Sequence, residues 1–124
     1  MSEPTQTENG GGAPAGPAID MAAFRQDMRE QDLEELVDEL VEAFVGDAPA
    51  RFAAIATAIQ SAEADSIRTT AHAYKSAAAT MRAVRLADLL QQTEAAARDG
   101  DVGRAAELLP QLETEHEAVL AQLR

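Results

Sequence analysis

Apolar residues recur every three or four positions through most of the chain after residue 19. This is the spacing of one face of an α-helix, and no segment alternates as a half-buried strand would. The clearest run is Leu33, Leu36, Val37, Leu40, Val41 and Phe44. Alanine and leucine, which favour helices, supply most of the apolar content. The pattern predicts an all-α protein.

Residues that begin or end helices divide the first half of this pattern. Asp20 is placed to cap a short helix, and Asp32, with a glutamate three residues later, resembles a capping box that opens a second one. Gly46 is expected to end that helix. Asp47 is expected to cap a third, with Pro49 in its first turn, where a missing N–H costs little.

The second half divides in the same way. Asp65 is expected to cap a fourth helix, and a fifth should run from about Val84 to Arg98. Gly100 suits the left-handed position after that helix, and Asp101 opens a sixth, which Pro110 should kink or restart.

These segments predict an antiparallel four-helix bundle with short additional N-terminal helices packed across one end, because short connections join antiparallel neighbours. The bundle helices are expected at 48–61, 65–82, 84–98 and 102–123. Residues 1–18 are rich in Gly, Pro and polar side chains and are predicted to be a disordered tail. Residues 19–124 are predicted to form one domain.

Composition narrows the function. The formal net charge of −12 argues against nucleic acid as a partner, because phosphates would be repelled. The absence of cysteine excludes disulfides and thiolate chemistry and fits a cytoplasmic protein. No apolar run is long enough to span a membrane, and no Gly-rich phosphate loop indicates nucleotide binding.

One helical segment differs in charge from the rest. No Asp or Glu occurs from Ser66 to Ala87, a window that contains Arg68, Lys75, Arg82 and Arg85 and therefore has a formal charge of +4. Helical spacing places His72 outside the buried stripe of this segment, so its ring is expected to be exposed. Neutral imidazole is a good nucleophile, and a nearby ammonium would stabilise a phosphoryl group bound to it.

The stretch "AHAYKSAAATMRAVRLADLLQQTEAAARDGD", residues 71–101, resembles the histidine-containing phosphotransfer (HPt) domain. That family has Ala-His-x-Leu-Lys-Gly, small residues, a Gly-Ala pair and a leucine-rich helix that ends in a Gly-Asp turn. The resemblance extends upstream through "LVEAFVGDAPARFAAIATAI" and covers about residues 32–123. It implies a helical bundle that carries phosphate on a histidine.

Carried over residue by residue, the resemblance makes His72 the phosphoacceptor and Lys75 the phosphoryl-stabilising lysine. The partner surface would include Arg68, Ser76, Ala79 and Arg82. Ser76 and Arg82 replace glycines that are common in the family. Ser76 is still small and its hydroxyl would be able to donate to a phosphoryl oxygen, whereas Arg82 would narrow or redirect the partner surface and so leaves partner identity open. Tyr74 replaces the usual leucine on the buried face.

The implied function is that of a phosphorelay intermediate. His72 would accept a phosphoryl group from the aspartate of a response-regulator receiver domain and pass it to another receiver. A hybrid histidine kinase and receiver domains are the expected partners, and the protein is expected to be a monomer. It would have no cofactor or metal of its own, because the receiver would supply the Mg²⁺ and most of the electrostatic catalysis.

Two other functions remain open from the sequence. The first is a non-catalytic adaptor that binds receiver domains without carrying phosphate, although an adaptor would not need both His72 and Lys75. The second is the dimerising bundle of a kinase, which the absence of a nucleotide-binding motif disfavours. The other histidine, His116, lies on the apolar line of the last helix and is predicted to be a partly buried packing residue.

Overall fold

The computed structural model describes residues 16–124, which form five α-helices and no strand. They are α1 (Met21–Glu30), α2 (Val37–Gln60), α3 (Ala64–Thr80), α4 (Val84–Arg98) and α5 (Val102–Leu123), and a 3₁₀ turn, Glu34–Leu36, precedes α2. Helix α3 packs on α2 and α4, and α5 closes the ring by packing on α4 and α2. The predicted all-α, antiparallel four-helix bundle is confirmed.

The predicted division of the N-terminal half is wrong at α2. Gly46 does not end a helix and Asp47 does not cap one, because a single helix runs from Val37 to Gln60 with Pro49 inside it. The predicted helix 48–61 is therefore the second half of α2. Only α1 remains as a separate N-terminal helix, and no second one precedes the bundle in the described chain.

Tertiary packing explains why α2 continues through two residues that disfavour helices. Gly46 and Pro49 both lie on the exposed side of α2, so neither interrupts its buried stripe. Proline inside a helix costs about 3 kcal/mol. Phe44 and Ile55, before and after the interruption, are both buried, and each contributes roughly 1.5–3 kcal/mol. Burial of one continuous stripe outweighs the local signals.

Each of the helices α1 to α4 is followed by a residue with the left-handed backbone conformation. These residues are Asp32 (φ 60°), Ala62 (φ 55°), Arg82 (φ 60°) and Gly100 (φ 76°). At the end of α3, the Arg82 and Ala83 amides donate to the carbonyls of Ala79 and Ala78, which is the Schellman arrangement. Only Gly100 was predicted. Asp32 therefore ends α1 and does not cap α2, and Asp65 lies inside the first turn of α3 after the cap residue Glu63.

Helix α1 covers the end of the bundle where α3 meets α4. Asp20 caps it as predicted, with Oδ1 accepting from the Ala23 amide at 2.9 Å. Phe24 and Met28 are buried. Ile19 exchanges two hydrogen bonds with the side-chain amide of Gln122 near the end of α5, at 2.8 and 2.9 Å. The N-terminal segment is thus part of the packed structure.

The predicted disordered tail comprises residues 1–18, and its residues 1–15 lie outside the described part of the chain. At its end, Ala18 is buried against the core. Helix α5 runs without a restart through Pro110. Within residues 16–124, no helix combines the length and the apolar character that crossing a membrane requires.

Candidate functional site

Helix α3 presents two different faces. Its buried stripe is Ile67, Ala71, Tyr74 and Ala78, as the periodicity predicted. The opposite face carries His72, whose side chain is 58% exposed, so the predicted exposure of the ring is confirmed. The other predicted site residues of this face, Arg68, Ser76 and Ala79, are exposed as well.

A carboxylate from α4 contacts the ring of His72. Oε2 of Glu94 lies 3.0 Å from Nδ1 of His72, and the Glu94 side chain is only 8% exposed. The ring of His72 therefore has a carboxylate neighbour that the acid-free window around it in the sequence does not indicate. The sequence window was free of acids, but packing of α4 against α3 brings one in from 22 residues further along the chain.

Glu94 is the centre of a small charged cluster. Nζ of Lys75 lies 2.6 Å from Oε1 of Glu94, and Nη2 of Arg98 lies 3.7 Å from Oε2. Oε1 is buried, so its short contact with the Lys75 ammonium is an ion pair shielded from water. Lys75 also donates a hydrogen bond to Oε1 of Gln91, at 2.8 Å. His72 and Lys75 therefore meet on one buried anion.

The protonation state of Glu94 follows from two opposed influences. Burial raises the pKa of this carboxyl, whereas its contacts with Lys75 and His72 lower it, and the net effect is a lowered pKa. Glu94 is thus ionised at neutral pH. An ionised carboxylate accepts a hydrogen bond and cannot donate one, so Nδ1 of His72 carries the proton between them.

The other cations of the acid-free window are paired too. Each of the four has a carboxylate partner that lies outside the window in the sequence, so the window is not a free cationic field. The pairs are Arg68–Asp65 at 3.9 Å, Lys75–Glu94 at 2.6 Å, Arg82–Asp27 at 2.7 Å and Arg85–Glu115 at 3.2 Å.

Arg82 has an unusual position among them. It stands where the resembled family often has glycine, and its φ of 60° is the conformation that glycine adopts without strain. Its guanidinium donates to both carboxylate oxygens of Asp27 on α1, at 2.7 and 2.9 Å. Contact with a partner protein at Arg82 stays a prediction.

Sequence reasoning missed Glu94, Gln91 and Arg98. A signal for Glu94 was present, because it falls among the buried positions of α4 with Leu90 and Ala97. A carboxylate on an apolar stripe is rarely buried unless it is paired. Helical periodicity alone does not reveal which residue of α3 is the partner.

His116 lies on the other side of α3, inside the core. Its Nδ1 is 2.7 Å from the hydroxyl of Tyr74, and its ring stacks on Phe52 with centroids 4.6 Å apart. It is only 6% exposed, so it is a packing histidine, buried more completely than predicted. Tyr74, which replaces the family's leucine, is thus hydrogen-bonded across the core.

Burial keeps both members of this core pair neutral. It raises the pKa of the Tyr74 hydroxyl and lowers the pKa of His116, whose neighbours Glu113 and Glu117 oppose that effect only in part. A neutral imidazole and a neutral phenol satisfy each other with one hydrogen bond. The pair is therefore structural.

Comparison with known proteins agrees with this geometry. The family model described as Hpt domain matches residues 39–122. The fold is similar to the crystal structure of histidine-containing phosphotransfer protein B from Pseudomonas aeruginosa PAO1, with a TM-score of 0.78 and 29% identity over 88% of this chain and 93% of that one. No curated protein matches the sequence. In residues 16–124 no group of three or more His, Cys, Asp or Glu side chains is arranged to hold a metal ion.

Proposed function

Because the chain belongs to the Hpt domain family, we propose that it carries a phosphoryl group on His72 between the receiver domains of a phosphorelay. The observation that supports His72 most strongly is the state of its ring. Nδ1 is hydrogen-bonded to Glu94, whereas Nε2 has no hydrogen-bond partner among residues 16–124 and the ring is more than half exposed.

This arrangement selects the nucleophilic atom. With the proton on Nδ1, the lone pair of the neutral ring is on Nε2. Glu94 also fixes the direction of the ring, because the hydrogen bond at Nδ1 restricts rotation of the His72 side chain. An oriented ring reaches the phosphorus in line more often than a freely rotating one.

The transfer step requires no proton to move. The Nε2 lone pair attacks phosphorus, an N–P bond forms, and the bond between phosphorus and the aspartyl oxygen of the receiver breaks, which leaves a free aspartate carboxylate. The ring becomes positively charged while Nδ1 keeps its proton, and Glu94, 3.0 Å away, stabilises that charge. The reverse step returns the phosphoryl group to a second receiver.

The neighbours of His72 serve the phosphoryl group. A phosphoryl group on His72 would carry nearly two negative charges, and Lys75, one turn away on the same helix, would stabilise them. The hydroxyl of Ser76 lies one turn after His72 and is a further donor. Arg68 and Ala79 extend the exposed face on which a receiver would dock.

The partners follow from this chemistry. Hpt domains work with response-regulator receivers, and we extend this to a hybrid histidine kinase as the source of the phosphoryl group. The receiver supplies Mg²⁺, and this chain supplies the nucleophile, as a monomer in the cytoplasm. It has no kinase activity of its own.

The test is transfer from a radiolabelled, phosphorylated receiver domain to the full chain. We expect label on the wild type and none on His72→Gln. His116→Gln is the matched control, since it changes the other histidine in the same way, and it should be labelled normally if it folds. Label on His72→Gln contradicts the assignment, and receiver binding without label on the wild type would indicate the adaptor function.

A further inference from the structure

Lys75 is held at two points on α4. Besides the ion contact with Glu94, its ammonium donates a hydrogen bond of 2.8 Å to the side-chain oxygen of Gln91, one turn earlier on that helix. The lysine side chain is 24% exposed, so most of it lies against the bundle. The ammonium therefore rests on the α4 side of His72.

The two contacts differ in quality. An ammonium has three N–H groups: its shorter contact is the ion pair with Oε1 of Glu94 at 2.6 Å, and it also donates to Oε1 of Gln91 at 2.8 Å. Gln91 thus adds a second, neutral acceptor to the charged one, Glu94, in directing the Lys75 ammonium. Gln91 is exposed and has no part in the core.

We propose that Gln91 is a positioning residue that holds Lys75 back from the phosphoryl group and so shortens the lifetime of phosphorylated His72. This inference rests on the proposed function. When Nε2 carries a phosphoryl group, that group competes with Glu94 and with the amide oxygen of Gln91 for the same ammonium. The contact with the charged Glu94 is present in every Gln91 variant, and Gln91 adds one hydrogen bond to the competition against the phosphoryl group.

The sign of the effect follows from this competition. Gln91→Leu removes one of the two competing acceptors and leaves Glu94, so Lys75 should contact the phosphoryl group more often, and the N–P bond should hydrolyse more slowly. Gln91→Glu places a carboxylate there, which holds the ammonium more firmly and repels the phosphoryl group. The bond should then hydrolyse faster. About one hydrogen bond is at stake, which corresponds to roughly a fivefold change in each direction.

The experiment measures the half-life of the phosphohistidine after the receiver has been removed. Wild type, Gln91→Leu and Gln91→Glu are compared with Gln92→Leu, a control on the same helix whose amide donates to Asp88 at 2.9 Å. The control should match wild type. The proposal requires opposite shifts for the two Gln91 variants, and equal half-lives or shifts in the same direction would overturn it.

A second readout separates positioning from a general loss of structure. Lys75 is the only lysine in the sequence, so its side-chain NMR signals need no assignment against other lysines. The chemical shifts of these Lys75 signals should change in Gln91→Leu and stay the same in Gln92→Leu.

The two proposals fail in different ways. If the wild type takes no label at all, the proposed function fails. If the wild type is labelled but the Lys75 signals are the same in Gln91→Leu as in wild type, only this inference fails.

Discussion

The two histidines of this protein lie on opposite sides of α3 and have the same kind of contact. In both, Nδ1 is hydrogen-bonded to one side chain, Glu94 for His72 and Tyr74 for His116. The partner of the exposed ring is an ionised carboxylate, whereas the partner of the buried ring is a neutral phenol. The partner's charge and the ring's exposure together decide what each imidazole can do.

This difference explains why only one histidine is suited to chemistry. A positive charge that develops on the ring of His72 meets the negative charge of Glu94 and is partly solvated. The same charge on His116 would meet Phe52 and a phenol in a dry core, where an unpaired charge is costly. Hydrogen bonding to Nδ1 orients both rings, and under the proposed function only the exposed one would act as a nucleophile.

The largest expected effect comes from removing the charge that distinguishes the two sites. Glu94→Gln keeps the size of the side chain and an acceptor oxygen but loses the carboxylate. We expect transfer to slow by about tenfold to a hundredfold, because ring orientation and charge stabilisation weaken together. Rapid-quench measurement of transfer checks this. Glu107→Gln, an exposed change on α5, is the control, and equal rates for both variants would remove Glu94 from the site.

The next effect is on stability at the buried site. Tyr74→Phe leaves Nδ1 of His116 in the core without its partner, which should reduce the free energy of unfolding by about 1–3 kcal/mol. Denaturant titration measures this value. Transfer by the folded variant should be unchanged, and a variant as stable as wild type would show that the hydrogen bond does not matter.

A smaller effect concerns pH. Burial lowers the pKa of His116, so the unfolded chain binds a proton more readily than the folded one. The contribution of His116 to stability is therefore fully present above about pH 6.5 and is lost as the pH falls below that value, by at most about 1.4 kcal/mol per pH unit. Titrations at pH 5 and 7.5 should show a shallower loss in His116→Leu than in wild type. If wild type and His116→Leu lose the same unfolding free energy between pH 7.5 and pH 5, His116 is not buried in its neutral form.

The smallest effect on stability and transfer is expected at Arg82, which pairs with Asp27 on α1 and contacts neither histidine. Arg82→Gly removes the ion pair with Asp27 but relieves the left-handed backbone, so the two changes oppose each other. We expect a melting temperature close to wild type and transfer within about twofold of it. Calorimetry and the label-transfer rate check both. A marked loss of receiver binding would instead assign Arg82 to the docking surface.

The parts of the fold that follow from one helix were predictable. The buried stripe of α3 and the exposure of His72 both depend on periodicity within a single segment. The bounds of α4 and α5 also agree with the sequence, because residues such as Gly100 and Asp101 mark them locally. Local signals failed at α2, where burial of Phe44 and Ile55 outweighed Gly46 and Pro49.

The parts of the site that depend on two helices were not predictable from the residues alone. Glu94 reaches His72 only because α4 packs antiparallel on α3 in one register. The acid-free window has a formal charge of +4, yet two of its cations pair with carboxylates that are remote in the sequence, Asp27 and Glu115. Charge counted along a segment is therefore not the charge around a residue in the folded protein.

The paired hydrogen bonds between Ile19 and Gln122 bring the beginning and the end of the packed region side by side. A short glycine linker from Arg124 back to this segment would make a circular permutant, with new termini opened at the 99–101 turn. Such a rearranged chain should keep the same bundle, because every helix pairing survives the new order. Its folding rate would then report how much the original chain order matters.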